Sequence, residues 1–342
     1  MRTLQLPARR TASRRCGSFR RAAGAVAACL LLVPLLAPAQ VSVDARLLVH
    51  PAWVSPSLTA TAYQSVARAG KRIVAVGERG TIALSDDDGR SWRQARRVPV
   101  PAMLTSVWFV DAQTGWAAGH WGTILKTNDG GESWVLQHAD VTVDQPFFSI
   151  RFSSPTHGMA VGLWSMAFRT EDGGATWTRV EMPVAPGAKR ADRNLYCLFG
   201  DADGRLFISA EKGAVLRSQD GGAHWETIET GYSGSLWAGI ALGNGDLLVG
   251  GLRGSVLRSA DHGATWRPET TGVHSSITAF AQLPNGVLQA TALDGITLTS
   301  RDEGKTFLFQ QRPDRAAYTA AVVTAAGNSL LFTTHGPAIA AP

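Results

Sequence analysis

The sequence predicts an all-β fold, a seven-bladed β-propeller of four-stranded antiparallel blades. Three observations carry that expectation. An eight-residue pattern, [ST]-x-D-x-G-x-[STH]-[WF], returns six times, at residues 85–92 (SDDDGRSW), 127–134 (TNDGGESW), 170–177 (TEDGGATW), 218–225 (SQDGGAHW), 259–266 (SADHGATW) and 300–307 (SRDEGKTF). Its closing aromatics stand 42, 43, 48, 41 and 41 residues apart, a period that fits one four-stranded blade per repeat. Between the motifs lie short apolar runs bounded by turn clusters, with no sustained helical periodicity.

Each copy is chemically a hairpin. The third-position carboxylates (Asp87, Asp129, Asp172, Asp220, Asp261, Asp302) can accept backbone amides in an Asx-type turn. The glycine two places later can take positive φ without steric cost. The closing Trp92, Trp134, Trp177, Trp225, Trp266 and Phe307 offer a large apolar face to the neighbouring blade, and are expected in the core.

Ahead of the repeats, residues 1–39 carry seven arginines and no acid, then an apolar run over 22–36 and Ala37-Pro38-Ala39. This order predicts a signal peptide cleaved after Ala39, leaving a propeller domain of residues 40–342 in the periplasm or secreted. An uncleaved anchor, and twin-arginine export from Ser13-Arg14-Arg15, are the alternatives. Removing those seven arginines takes the net charge from +6 to −1. The electrostatic case for nucleic-acid binding goes with them. Of three cysteines, Cys16 and Cys29 lie in the leader, so the remaining Cys197 has no intramolecular disulfide partner and reads as a buried thiol in the run LYCLF.

Within each repeat the order is constant. An apolar strand comes first (104–110, 147–152, 195–199, 236–242, 277–281), then a turn, then a small-residue strand such as 115–119 or 247–251. A third strand, such as 122–127 or 254–259, runs into the motif, and a fourth leaves it. Gly80, Gly122, Gly213, Gly254 and Gly295 stand seven residues before the motif Asp, with Ser165 in that place in the third repeat. Three residues upstream are Gly77, Gly119, Gly162, Ala210, Gly251 and Ala292. Two-residue loops are expected between these small positions. After the sixth motif, residues 318–324, 329–334 and 337–340 still read as strands, and residues 46–54 have no partner in the first blade. Pairing these terminal segments would complete a seventh blade and hide the strand edges; six blades with ragged ends is the alternative.

The motifs, between third and fourth strands, occupy one face of the ring. The loops between second and third strands share the other face with the inter-blade connections. Around that face the sequence places Arg79, Trp121, Trp164, Lys212 and Arg253, residue types common at binding hot spots. The longest connection, residues 181–194 (EMPVAPGAKRADRN), adds Lys189, Arg190 and Arg193; Arg312 and Arg315 add more. The plain alternative is that exposed charges simply solvate a surface. Trp108 and Trp237, in first strands, read as core. His120 and His335 lack companions at ligand spacing, so neither a metal site nor a cofactor is expected.

The six motifs match the Asp-box, or BNR repeat, and over about residues 60–310 the chain resembles Asp-box propellers. The leader, the size and units such as GTILKTNDGGESW resemble more narrowly the photosystem II assembly and stability factor family and its periplasmic bacterial relatives. That resemblance implies a seven-bladed, non-catalytic propeller that holds a membrane-associated protein partner. The rival is a sialidase-like or other glycoside hydrolase, with carbohydrate as ligand. A sialidase needs an arginine triad and a Tyr–Glu pair. After the leader there are four tyrosines (Tyr63, Tyr196, Tyr232, Tyr318), of which Tyr63, Tyr196 and Tyr318 lie in or beside channel-lining strands. No Arg-Ile-Pro element precedes the first Asp-box. A two-carboxylate mechanism could draw on Glu78, Glu211, Asp294, Asp140, Asp144 or Asp192.

Overall fold

The computed structural model describes residues 50–185 and 187–338; the expected leader and cleavage site lie outside them. The polar/apolar alternation becomes seven antiparallel sheets whose strands pair strictly in chain order. They span residues 63–94, 104–138, 147–179, 195–229, 236–269, 277–311 and 318–338, numbered here as blades 1 to 7. Blades 1 to 6 have four strands each, and blade 7 has three among the described residues.

Small residues decide where the strands approach one another. At Gly77, the end of the second strand of blade 1, a Cβ would lie 2.3 Å from the Ala62 carbonyl oxygen. Gly119, Gly162 and Gly251 face the same obstacle at 2.0–2.1 Å in blades 2, 3 and 5.

The inner strands (Tyr63–Ala69, Leu104–Phe109, Phe147–Phe152, Leu195–Gly200, Leu236–Ala241, Ile277–Gln282 and Tyr318–Val323) each abut the next, and Tyr318–Val323 abuts Tyr63–Ala69. The ring is therefore closed. An apolar cluster seals that closure: Tyr63, Ile73, Ala75 and Ala83 of blade 1 meet Ala320, Val322, Leu330 and Phe332 of blade 7. Phe332 packs edge-on to Tyr63 (5.8 Å between centroids) and to Trp92 (5.7 Å). Comparable clusters fill the successive interfaces from blade 1 to blade 6. Burial of these faces is the main stabilising term, since a single twisted blade has no core of its own.

Closure differs in detail from the expected pairing of residues 46–54 with the C-terminal strands. Residues 46–49 lie outside the described set, and residues 50–54 form no strand. Ala52 N–H donates to Val98 O (2.9 Å) and Trp53 N–H to Arg79 O (3.2 Å), so this segment runs along blade 1. The last strand observed is Gly336–Ala338. Packing between blades 7 and 1, with residues 58–60 beside that strand, holds the ring shut.

Candidate functional site

The two rims are built by different chemistry. On one, all six Asp-boxes repeat a single hydrogen-bond scheme. The Ser or Thr hydroxyl donates to the Asp carboxylate (2.7–2.9 Å) and accepts the amide of the positive-φ glycine (2.7–3.0 Å). The same carboxylate accepts the amide four residues on, at 2.9 Å in every copy. Hydrogen bonds from Ser91, Thr176 and Thr265 hold Asp87, Asp172 and Asp261 down to about 2, and those from His224 and Thr306 hold Asp220 and Asp302 well below the usual carboxylate range. In Asp129 burial opposes the shift, but bonds from Ser133 and Thr127 prevail and the value is lowered.

Of the closing aromatics, only Trp134 is fully buried. Trp92, Trp177, Trp225, Trp266 and Phe307 are half-buried against the inter-blade clusters. Trp92, Trp134, Trp225 and Trp266 donate their indole N–H to the carbonyl of the box glycine (2.9–3.2 Å).

On the opposite rim the loops are tight turns, displaced by one residue from the expected two-residue loops. Thr81 N–H donates to Glu78 O (2.8 Å), which makes Arg79 (φ 53°, ψ 32°) and Gly80 (φ 73°) the central pair of a type I′ turn. The equivalent bonds make Trp121–Gly122, Trp164–Ser165, Lys212–Gly213, Arg253–Gly254 and Asp294–Gly295 central pairs in blades 2 to 6. The downstream small residue is thus part of the turn, because both central positions need positive φ.

This geometry holds one side chain per blade outward. Arg79, Lys212, Arg253 and Asp294 are exposed, and Trp164 is 55% exposed although it is a large apolar group. Trp121 is half-buried against the core between blades 1 and 2, its amide donating to Asp144 (3.2 Å). Arg79 lies over the Trp53 ring at 5.0 Å. Lys189 and Arg190 are exposed on the long blade 3–4 connection.

Charge pairing divides the expected cationic set. Among the described residues Arg79, Lys189, Arg190, Lys212 and Arg253 make no ion pair. Arg193 is mostly buried with its guanidinium on Glu229 (2.7 Å), while its carbonyl caps the Trp164–Ser165 turn (2.7 Å to Ser165 N). Arg312 pairs with Asp314 (2.8 Å) and Arg315 with Asp294 (3.9 Å).

Down the axis runs a channel of about 460 Å³, lined by all seven inner strands. Trp108 and Trp237 line it, rather than lying wholly in the core, because the innermost strand exposes one edge to the axis. Tyr196 stacks on Phe148 (5.7 Å) in the channel wall, whereas Tyr63 and Tyr318 are buried between blades. Cys197 also lines the channel, and burial of its thiol pushes it up to about 11. None of Glu78, Glu211, Asp294, Asp140, Asp144 and Asp192 lines the channel, where a two-carboxylate mechanism would be placed. One acidic group, Asp201, Asp203 and His262, has the spacing of metal ligands, but the Arg205 guanidinium already bonds all three. Sequence reasoning passed over one channel residue, Arg151; lining up the seven inner strands would have exposed it.

Comparison with known proteins now adds to this geometry. Over 152 residues the chain is 37% identical to "Photosystem II assembly protein Ycf48" of Thermosynechococcus vestitus, an alignment covering 43% of this chain and 41% of that protein. Two solved structures share the fold. One, described as "YCF48 bound to D1 peptide", superposes with a TM-score of 0.66 at 18% identity, covering 84% of this chain and 98% of that one. The other, a streptogramin B lyase, reaches 0.67 at 13% identity, covering 84% and 95%, so the fold by itself is compatible with an enzyme. The family model for "Photosynthesis system II assembly factor YCF48" matches residues 50–128, 95–236 and 130–306, the greater part of the propeller, and the chain belongs to that family.

Proposed function

We propose that this chain is an exported, non-catalytic propeller that holds a membrane-associated protein partner, acting as an assembly or stability factor for a membrane protein complex. Membership of the YCF48 family carries the reading, together with a relative whose structure is described as bound to a D1 peptide. The rim opposite the Asp-boxes is the contact surface. Three cations without ion pairs among the described residues (Arg79, Lys212 and Arg253) and the exposed Trp164 are held there on rigid turns, with Lys189 and Arg190 on the blade 3–4 connection. Unpaired cations keep their charge for an acidic partner segment, and a turn fixed at both central residues loses little entropy on binding.

Affinity capture from membranes, with crosslinking and mass spectrometry, tests this. Crosslinks should fall on residues 120–121, 163–164, 189–190, 211–212 and 252–253 to a membrane-protein segment. Crosslinks confined to the Asp-box rim would contradict the site, and turnover of sialosides or polysaccharide by the purified protein would contradict the non-catalytic reading.

A further inference from the structure

Arg151 occupies a place that six other blades keep apolar. Strand register aligns it with Ala67, Trp108, Phe199, Ile240, Ala281 and Val322, one residue before the inner strand's end in blades 2 to 7 and two before it in blade 1. Its guanidinium carbon lies 4.5 Å over the Trp108 ring. Behind it stands Gly200, where a Cβ would come within 3.3 Å of Nε. Nε is sealed from solvent with no acceptor, and among the described residues the side chain makes no hydrogen bond or ion pair. The remaining guanidinium nitrogens are neither bonded nor sealed, and Arg151 lines the channel.

Among the described residues no Asp or Glu lines that channel, and Arg151 is the single charged residue that does. Burial already disfavours its cationic form. A cation–π contact balances only part of what a guanidinium loses on leaving water. A permanent charge held without a counter-charge, next to an open cavity, is an arrangement that a ligand completes.

We infer that the channel is an anion site in which Arg151 receives a carboxylate. A carboxylate matches the two-donor guanidinium edge, and one charge matches one cation. The stacked Phe148 and Tyr196 rings line the channel toward the other end of the inner strands and suit a ligand with a slender, partly apolar body. The carboxylate can come from a small organic acid or from the terminus of a peptide tail entering the ring. The inference does not depend on the rim contact proposed above, since Arg151 lies near the Asp-box end of its strand, away from the opposite rim.

The test is a melting series on the full chain with sodium benzoate, with a short alanine-rich peptide bearing a free C-terminus, and with the same peptide amidated. The wild-type melting temperature should rise by several degrees with at least one carboxylate probe and not with the amidated peptide. Benzoate acting alone assigns a small-acid site; the free-terminus peptide acting alone assigns a tail. Arg151→Met should weaken the effective probe at least about tenfold. Without probe, the same variant should melt no lower than the wild type, because it removes an uncompensated buried charge. Arg151→Lys should retain part of the response. The inference is overturned if sodium chloride gives the same shift, if neither carboxylate probe acts, if Arg151→Met responds like the wild type, or if Arg151→Met fails to fold while Arg151→Lys folds.

Discussion

The two rims use the same backbone device to opposite ends. Each carries residues held at positive φ: Asp88, His262 and Glu303 inside the Asp-boxes, and Arg79, Trp121, Trp164, Lys212, Arg253 and Asp294 in the turns opposite. On the Asp-box rim side chains make the turn, through a carboxylate and a hydroxyl that bond the backbone in every copy. Nearby cations there are paired as well, such as Arg72 with Asp86 (2.6 Å) and Arg217 with Glu226 (2.8 Å). On the other rim a short backbone bond and a glycine, or Ser165 in blade 3, make the turn, so the outward side chain is not needed for the fold. The difference teaches where specificity can be written: one rim spends its carboxylates and hydroxyls on its own turns, and the other holds Arg79, Lys212 and Arg253 outward without using them in the turn.

Substitutions at the two rims' positive-φ glycines should break this contrast most sharply. Gly213 sits at φ 69° with the Tyr232 carbonyl oxygen 1.7 Å from where a Cβ would stand. Gly213→Ala should cost more than about 3 kcal/mol, read by denaturant unfolding. Asp129→Ala removes bonds from Thr127 (2.8 Å) and from the Ser133 amide (2.9 Å) and should cost about 2 kcal/mol. Gly221, at the same φ of 69° in an Asp-box, has nothing within 4 Å. Gly221→Ala should cost only about 1 kcal/mol, the backbone term alone. Equal losses at Gly213 and Gly221 would erase the distinction.

Acid should act chiefly through the Asp-box rim, with Asp314 beside Arg312 and Asp140 beside Thr142 adding a smaller part on the other. Asp87, Asp172 and Asp261 titrate near 2 when folded, below the roughly 3.9 of an unfolded Asp. A carboxylate lowered by folding contributes its stability above the unfolded value and loses it as the pH falls through the folded value. The melting temperature should therefore hold down to about pH 4 and decline steadily toward about pH 2. Asp129→Ala should flatten part of that decline.

Much of the fold was legible because the box is a local object. Six copies of Ser/Thr–Asp–Gly–Trp/Phe fix their own hydrogen bonds within eight residues, and their spacing fixes the blade. The closing of the ring was less legible. It rests on Tyr63, Trp92 and Phe332 meeting across about 270 residues of chain, a non-local contact with no sequence signature. The loop turns were misplaced by one residue because a glycine marks positive φ without saying which side of the turn it occupies. Trp108 and Trp237 were read as core because an apolar residue at a closed ring's inner edge has the same local pattern as one inside a blade. Arg151 carries no motif, and its meaning comes only from comparison with six equivalent positions.

The central claim concerns the rim that the fold does not need. Reversing both Arg79 and Arg253 to Glu, in the full chain, should leave unfolding stability within about 1 kcal/mol of the wild type, since both side chains are exposed and make no ion pair, and only the Arg79 contact with the Trp53 ring is lost. Capture of the proposed membrane-protein partner, measured side by side from the same detergent extract, should fall at least about tenfold. Undiminished capture by a stably folded double variant would contradict the account.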